Sequence, residues 1–114
     1  MIKIEAIVRR EKFEEVKDAL SRIEVNGISV SEVMGCGKQK GYMELVRGSE
    51  VPISLLPKIK FEIVVSDDGW ADKTIKAIKE SAFTGNPGDG KIFTYRLDNV
   101  IRIRTSESGS AAIN

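Results

Sequence analysis

The spacing of apolar residues in this chain switches from two to between three and four and back again, twice, and few small folds satisfy that order. Ile2, Ile4, Ala6 and Val8 alternate with Lys3, Glu5 and Arg9, which predicts a half-buried strand over residues 1–9. Phe13, Val16, Leu20 and Ile23 then recur at spacings of three and four, a helix that Asn26-Gly27 stops. Ile28 to Met34 reads as a second strand and Ile59, Phe61, Ile63 and Val65 as a third. Asp67 and Asp68 open a second helix with Ala71, Ile75, Ile78 and Ala82 on its apolar face. Lys91 to Leu97 and Val100 to Arg104 are expected to close the sheet, and in the tail over 105–114 the stretch Ser106 to Ser110 is small, polar and expected to be mobile. Strand, helix, strand, repeated, is the split βαβ pattern: an α+β, ferredoxin-like antiparallel sheet with two helices on one face.

At 114 residues the chain is expected to be a single domain, 1–114, short enough that oligomerisation would add useful core. The net charge of +1, with acids and bases interleaved, leaves no basic footprint for nucleic acid and no patch for an anionic membrane surface. No apolar run approaches the roughly 20 residues of a membrane span, so the expectation is a cytoplasmic protein without leader or anchor. Cys36 is the one cysteine, which permits no internal disulfide and fits a reducing compartment. The absence of histidine removes Ser/His and Cys/His nucleophile pairs, so no catalytic residue is expected.

Two glycine-pivoted segments carry the functional signal. Thr84-Gly85-Asn86-Pro87-Gly88-Asp89-Gly90-Lys91 places Gly85, Gly90 and Lys91 as a P-loop would, but Ile92 stands where that motif needs Ser or Thr for magnesium. A helix precedes this loop and a strand follows it, so phosphates would be held by turn amides and by cations from elsewhere; an ordinary helix-to-strand turn is the alternative. On a strand over 100–104, Arg102 and Arg104 would share a face and, with Lys91, supply cations for phosphate; a solvated strand face is the bland reading.

The second segment, Gly35 to Gly41, could offer successive N–H donors to a carboxylate or simply form the base of a loop. It leads into a polar connection between strands two and three, without predicted strands, which over 36–55 reads as a partner-contacting loop. Cys36 fits a small buried contact better than a reactive thiol. Asp67 and Asp68 fit a helix cap better than paired catalytic carboxylates. Trp70 and Tyr95 could stack on a base or serve packing.

Several blocks, in order, resemble the nitrogen-regulatory PII signalling proteins over nearly the whole chain. They are Val30-Ser31-Glu32-Val33 into Gly35-Cys36-Gly37-Lys38-Gln39-Lys40-Gly41, then Glu44 to Glu50, Leu56 to Lys60, Thr84-Gly85 with Gly88 to Phe93, and Ile101 to Thr105. The resemblance implies a homotrimer with ATP or ADP in each cleft between neighbours and 2-oxoglutarate beside MgATP. By position it assigns the phosphates to Gly88, Asp89, Gly90, Lys91, Arg102 and Arg104, with Lys38 where the family commonly has arginine. Ser29, Glu62 and Val64 would line the nucleoside end. Gln39 would complete the Mg2+ coordination and touch 2-oxoglutarate, Lys58 would pair with its far carboxylate, and the backbone of Gly37 and Gly41 would receive its other oxygens.

Arg47 matches the arginine with which some members plug an ammonium channel, and Ser49 matches a serine that some members phosphorylate. The family's modifiable loop tyrosine falls at Val51, which excludes nucleotidylation there, and Cys36 replaces a usual aromatic. The implied targets are an ammonium transporter first, then nitrogenase components and glutamine synthetase. A PII-like sensor of another small molecule, and a small nucleotide-hydrolysing enzyme relying on Asp89, are the rival readings.

Overall fold

In the computed structural model the backbone is described for residues 1–25, 27–35, 43–46, 49–52 and 55–113, and side chains for the same residues outside 43–52. Strand β1 (Ile2–Arg9) buries every second residue: Ile2, Ile4, Ala6 and Val8 lie under the helices, and Lys3, Glu5, Ile7 and Arg9 line the opposite, open face. Helix α1 (Phe13–Arg22) follows a 3-10 turn at Arg10–Lys12 and buries Val16 and Leu20. β2 (Ile28–Gly35) and β5 (Leu56–Val65) flank the segment that holds β3 (Met43–Val46) and β4 (Ser49–Pro52), and helix α2 (Asp68–Ala82) leads to β6 (Gly90–Arg96).

The main sheet has the order β2-β5-β1-β6, with every neighbouring pair antiparallel. β1 and β2 are therefore parallel to each other with β5 inserted between them, the split βαβ arrangement the periodicities predict. Both helices cover one face. The core is Phe61, Ile4, Ile63, Ile78, Leu20, Val8 and Val16, with the Phe13 ring stacked 5.9 Å from that of Phe61.

Asp67 caps α2 as expected: its Oδ1 accepts from the amide of Trp70 at 2.8 Å. Asp68 instead takes a solvent-exposed pair with Arg96 at 3.0 Å. The fully buried residue on α2 that the pattern omits is Thr74, whose hydroxyl is satisfied by donating to the carbonyl of Trp70 one turn back at 2.8 Å.

Two expectations are corrected. Residues between Gly35 and Leu56 do not lack regular structure: β3 and β4 form their own antiparallel ladder, Met43 opposite Pro52 and Val46 opposite Ser49. Val100 to Arg104 is not a strand. It enters a hook closed by the single bridge Ile101 to Ser108, in which Arg102 N–H donates to Glu107 O and Ser106 N–H to Arg102 O, both at 2.8 Å. The ends of the hook are drawn together by Asn99 Oδ1, which accepts from the amides of Val100 (2.9 Å) and Gly109 (3.1 Å), and by the Gly109 amide donating also to Val100 O at 3.0 Å. The tail contains a 3-10 turn at Gly109–Ala112, tied to the hook by Arg102 Nη2 on Ala112 O at 3.4 Å.

Candidate functional site

The glycine loop between α2 and β6 folds around one carboxylate. Asp89 Oδ2 accepts from the amides of Thr84 (2.9 Å) and Gly85 (3.0 Å), while Oδ1 accepts from the Thr84 hydroxyl and from Arg9 Nε (3.0 Å). The Thr84 hydroxyl oxygen in turn accepts from the Asn86 amide at 3.1 Å. These bonds hold the Asp89 carboxyl far below the usual aspartate range, the Thr84 hydroxyl first and its amide next, with Arg9 and the Gly85 amide adding to them. The amides at the start of the loop thus serve the chain's own anion, and the part that can face a ligand begins at Gly88.

Gly85 and Gly88 have φ of 87° and 101°, the left-handed backbone that glycine adopts without a steric penalty. Gly90 is more constrained still: at φ 104° a Cβ would lie 1.7 Å from the carbonyl oxygen of Ile7. Its lack of a side chain is explained by the close pairing of β6 with β1, where it stands opposite Val8.

Lys58 sits beneath this loop. It is opposite Arg9 in the β1–β5 ladder, and its Nζ donates to the carbonyl of Gly88 at 2.5 Å. Partial burial pushes the ammonium below its ordinary pKa, the neighbouring Arg9 charge pushes it further, and Glu11 and Asp89 oppose both. Gly35, at the end of β2, lies over the Lys58 stem; a Cβ there would come 3.0 Å from Lys58 Cγ. Lys91 is on β6, beyond β1 from Lys58, and stands opposite Ile7 on the same open face. Arg9, Lys58 and Lys91 therefore lie toward one end of the sheet, which with Asp89 and Glu11 counted against them still carries net positive charge suited to an anion.

The other described candidates lie elsewhere. Ser29 and Glu62 face each other across the β2–β5 ladder, and Glu62 pairs with Lys60 (3.2 Å) and Lys3 (3.6 Å) on the open face. Tyr95 joins the same face by donating its hydroxyl to Glu5 at 2.7 Å. Val64, six positions along β5 from Lys58 or about 20 Å at strand rise, lines a cavity of 160 Å³ with Val25, Trp70 and Ile113.

Arg102 pairs with Glu107 at 3.2 Å and with the carbonyl of Ala112, next to Ile113, so the hook belongs to the Val64 end; Arg104 is in its turn. The expected convergence of Arg102 and Arg104 with Lys91 thus does not occur within one chain, because the hook replaces the strand that would have aligned them. Lys38, Gln39, Gly37, Gly41 and Arg47 lie outside the described residues, as does the side chain of Ser49.

Arg9 is the site residue that the motifs miss. Its partners Asp89 and Pro87 are 80 and 78 positions away. The signal available was its place as the last open-face residue of an alternating strand, which in a split βαβ sheet ends beside the turn entering the last strand.

Fold and site together define a class: a small ferredoxin-like α+β domain with a preformed glycine loop and a basic cluster at one sheet end. The family profile for nitrogen regulatory protein P-II matches residues 1–107. The chain is 50% identical over 113 residues to the nitrogen regulatory protein P-II of Rhodospirillum rubrum, covering 99% of this chain and 100% of that protein. Those figures are the same for the proteins of that name from Pasteurella multocida and Bradyrhizobium diazoefficiens. The chain belongs to the nitrogen regulatory protein P-II family. Among the described residues, no helix is long and apolar enough to cross a membrane.

Proposed function

We propose that this protein is a non-catalytic signal integrator. It binds ATP or ADP and, with MgATP, 2-oxoglutarate, and it passes their state to nitrogen-metabolism proteins through the segment between β2 and β5. The observation that carries the reading is the division of the assigned residues. Lys58 and Gly88 to Lys91 stand at one end of the sheet, Val64 and the Arg102–Arg104 hook belong to the other, and Ser29 and Glu62 lie between on the open face. Within one subunit the two sets stand at opposite ends of the sheet, and a second copy presenting its hook end to the loop of the first would bring them together. A trimer of such contacts gives each cleft one half from each neighbour.

The residues present suit the group. Gly88 to Lys91 would hold phosphates by backbone amides and the Lys91 ammonium, the neighbour's Arg102 and Arg104 would add planar donors, and Ser29, Glu62 and Val64 would take the nucleoside. Lys58, the charged side chain beside the Gly35 end of β2, would take a ligand carboxylate. Magnesium would be completed by Gln39 and would screen the phosphates. Hydrolysis is the weaker reading, because Asp89, the carboxylate within the loop, has both oxygens committed and is too acidic to act as a general base.

Output follows from linkage: a ligand moves the β2–β5 segment only by its different affinity for two arrangements of it. An ammonium transporter entered by Arg47 is the first target, with nitrogenase components and glutamine synthetase behind it, and Ser49 is the candidate modification position. Titration calorimetry with ATP, ADP and 2-oxoglutarate, singly and combined, tests the reading. Binding of 2-oxoglutarate only with MgATP supports it, and nucleotide-independent binding, or phosphate release, overturns it.

A further inference from the structure

The contacts of Arg9 fall on the glycine loop at two points. Nε donates to Asp89 Oδ1 at 3.0 Å and Nη2 to the carbonyl of Pro87 at 2.6 Å. Asp89 is the hub that gathers the amides of Thr84 and Gly85, and Pro87 lies between the left-handed glycines at 85 and 88. The end of the loop is already fixed to the sheet by Gly90 opposite Val8. The fork of Arg9, on the next residue of β1, supplies a further attachment from the same strand, alongside the bond of Lys58 on β5 to the Gly88 carbonyl.

We infer that Arg9 is a positioning residue for the phosphate loop, acting through Asp89 and Pro87 without touching the ligand. The inference rests on the reading of this loop as a phosphate site. Its physical basis is the guanidinium: a planar fork can meet a carboxylate and a carbonyl at once in fixed relative geometry, which a lysine ammonium at the same place cannot reproduce. Without the fork, rotation at Gly85 and Gly88 is restrained less, and a ligand must pay the entropy of ordering the loop when it binds.

The test uses the full chain with Arg9→Gln, Arg9→Lys, Asp89→Asn and the Arg9→Gln/Asp89→Asn double variant. Amide hydrogen exchange without nucleotide reads the loop, and calorimetry with MgATP reads its use. Arg9→Gln is expected to speed exchange at the Thr84 and Gly85 amides by about tenfold with the core amide of Phe61 unchanged. MgATP should weaken by about tenfold, with Arg9→Lys intermediate and the double variant no weaker than the worse single one.

Unchanged exchange at Thr84 and Gly85 in Arg9→Gln overturns the inference. So does a loosened loop with undiminished MgATP affinity, or fully additive losses in the double variant. Should the unaltered protein fail to bind MgATP, the nucleotide reading falls, and the exchange data still decide whether Arg9 holds the loop.

Discussion

Arg9 and Lys58 stand directly opposite each other on β1 and β5, and both reach for the same loop, Arg9 for Asp89 and Lys58 for the carbonyl of Gly88. Like charges in register weaken a ladder unless each has its own partner. The glycine loop provides both partners. The basic end of the sheet and the shape of the loop are therefore one structural unit, in which Lys58 serves the loop as well as any ligand it takes.

That dual role has a measurable consequence. Lys58→Met should abolish 2-oxoglutarate binding and also weaken MgATP alone by about fivefold, the value of one hydrogen bond near 1 kcal/mol. Calorimetry on the variant checks both; full MgATP affinity would mean that the Gly88 contact is incidental.

Gly90 is fixed by its neighbour. Gly90→Ala places a Cβ against the carbonyl of Ile7 at a backbone angle that alanine resists, and should lower folding stability by roughly 3 kcal/mol or more. Urea unfolding that shows a loss under about 1 kcal/mol would contradict the close β1–β6 approach.

At the start of α2, Asp67→Ala removes the acceptor of the Trp70 amide and should cost about 1 kcal/mol, with Asp67→Asn recovering most of it. Equal losses in the two variants would assign the effect to something other than the cap.

The pH dependence of Asp89 has a definite sign. Its folded pKa is depressed, so its stabilising contribution is fully present above the unfolded aspartate value, near about 4, and is lost as pH falls below it. The stability gap between the unaltered protein and Asp89→Asn should be widest at neutral pH and narrow in acid. A gap that stays constant from neutral pH into that acid range would show that the carboxylate charge contributes nothing.

Most of the sheet and both helices are legible in periodicity, because alternation in β1 and β5 and the three-four spacing in α1 and α2 record which face is buried. Period two reports extended backbone but not a partner, and so Ile101, Arg102, Ile103 and Arg104 read as a strand although backbone bonds and the Asn99 side chain close them into a hook. Thr74 escaped because a hydroxyl satisfied within its own helix is as buriable as an apolar group. Of the site, the glycine pivots and Lys91 stand out as a local motif. Arg9 does not, since its role exists only once β1 and the loop before β6 are brought together across the chain.

Complementation between two defective chains measures whether the proposed nucleotide site is shared between copies. Lys91→Ala and Arg104→Ala alter opposite ends of the subunit and should each weaken ATP by about tenfold or more. In the proposed trimer, reassembly from an equal mixture of the two should restore full-affinity binding in about a quarter of the clefts, where an intact loop would meet an intact hook. Calorimetry of the mixture should then show a tight class of sites that neither variant shows alone. A mixture that binds no better than its components would place both residues in one chain's site, or in none, and would rule out a site shared between copies.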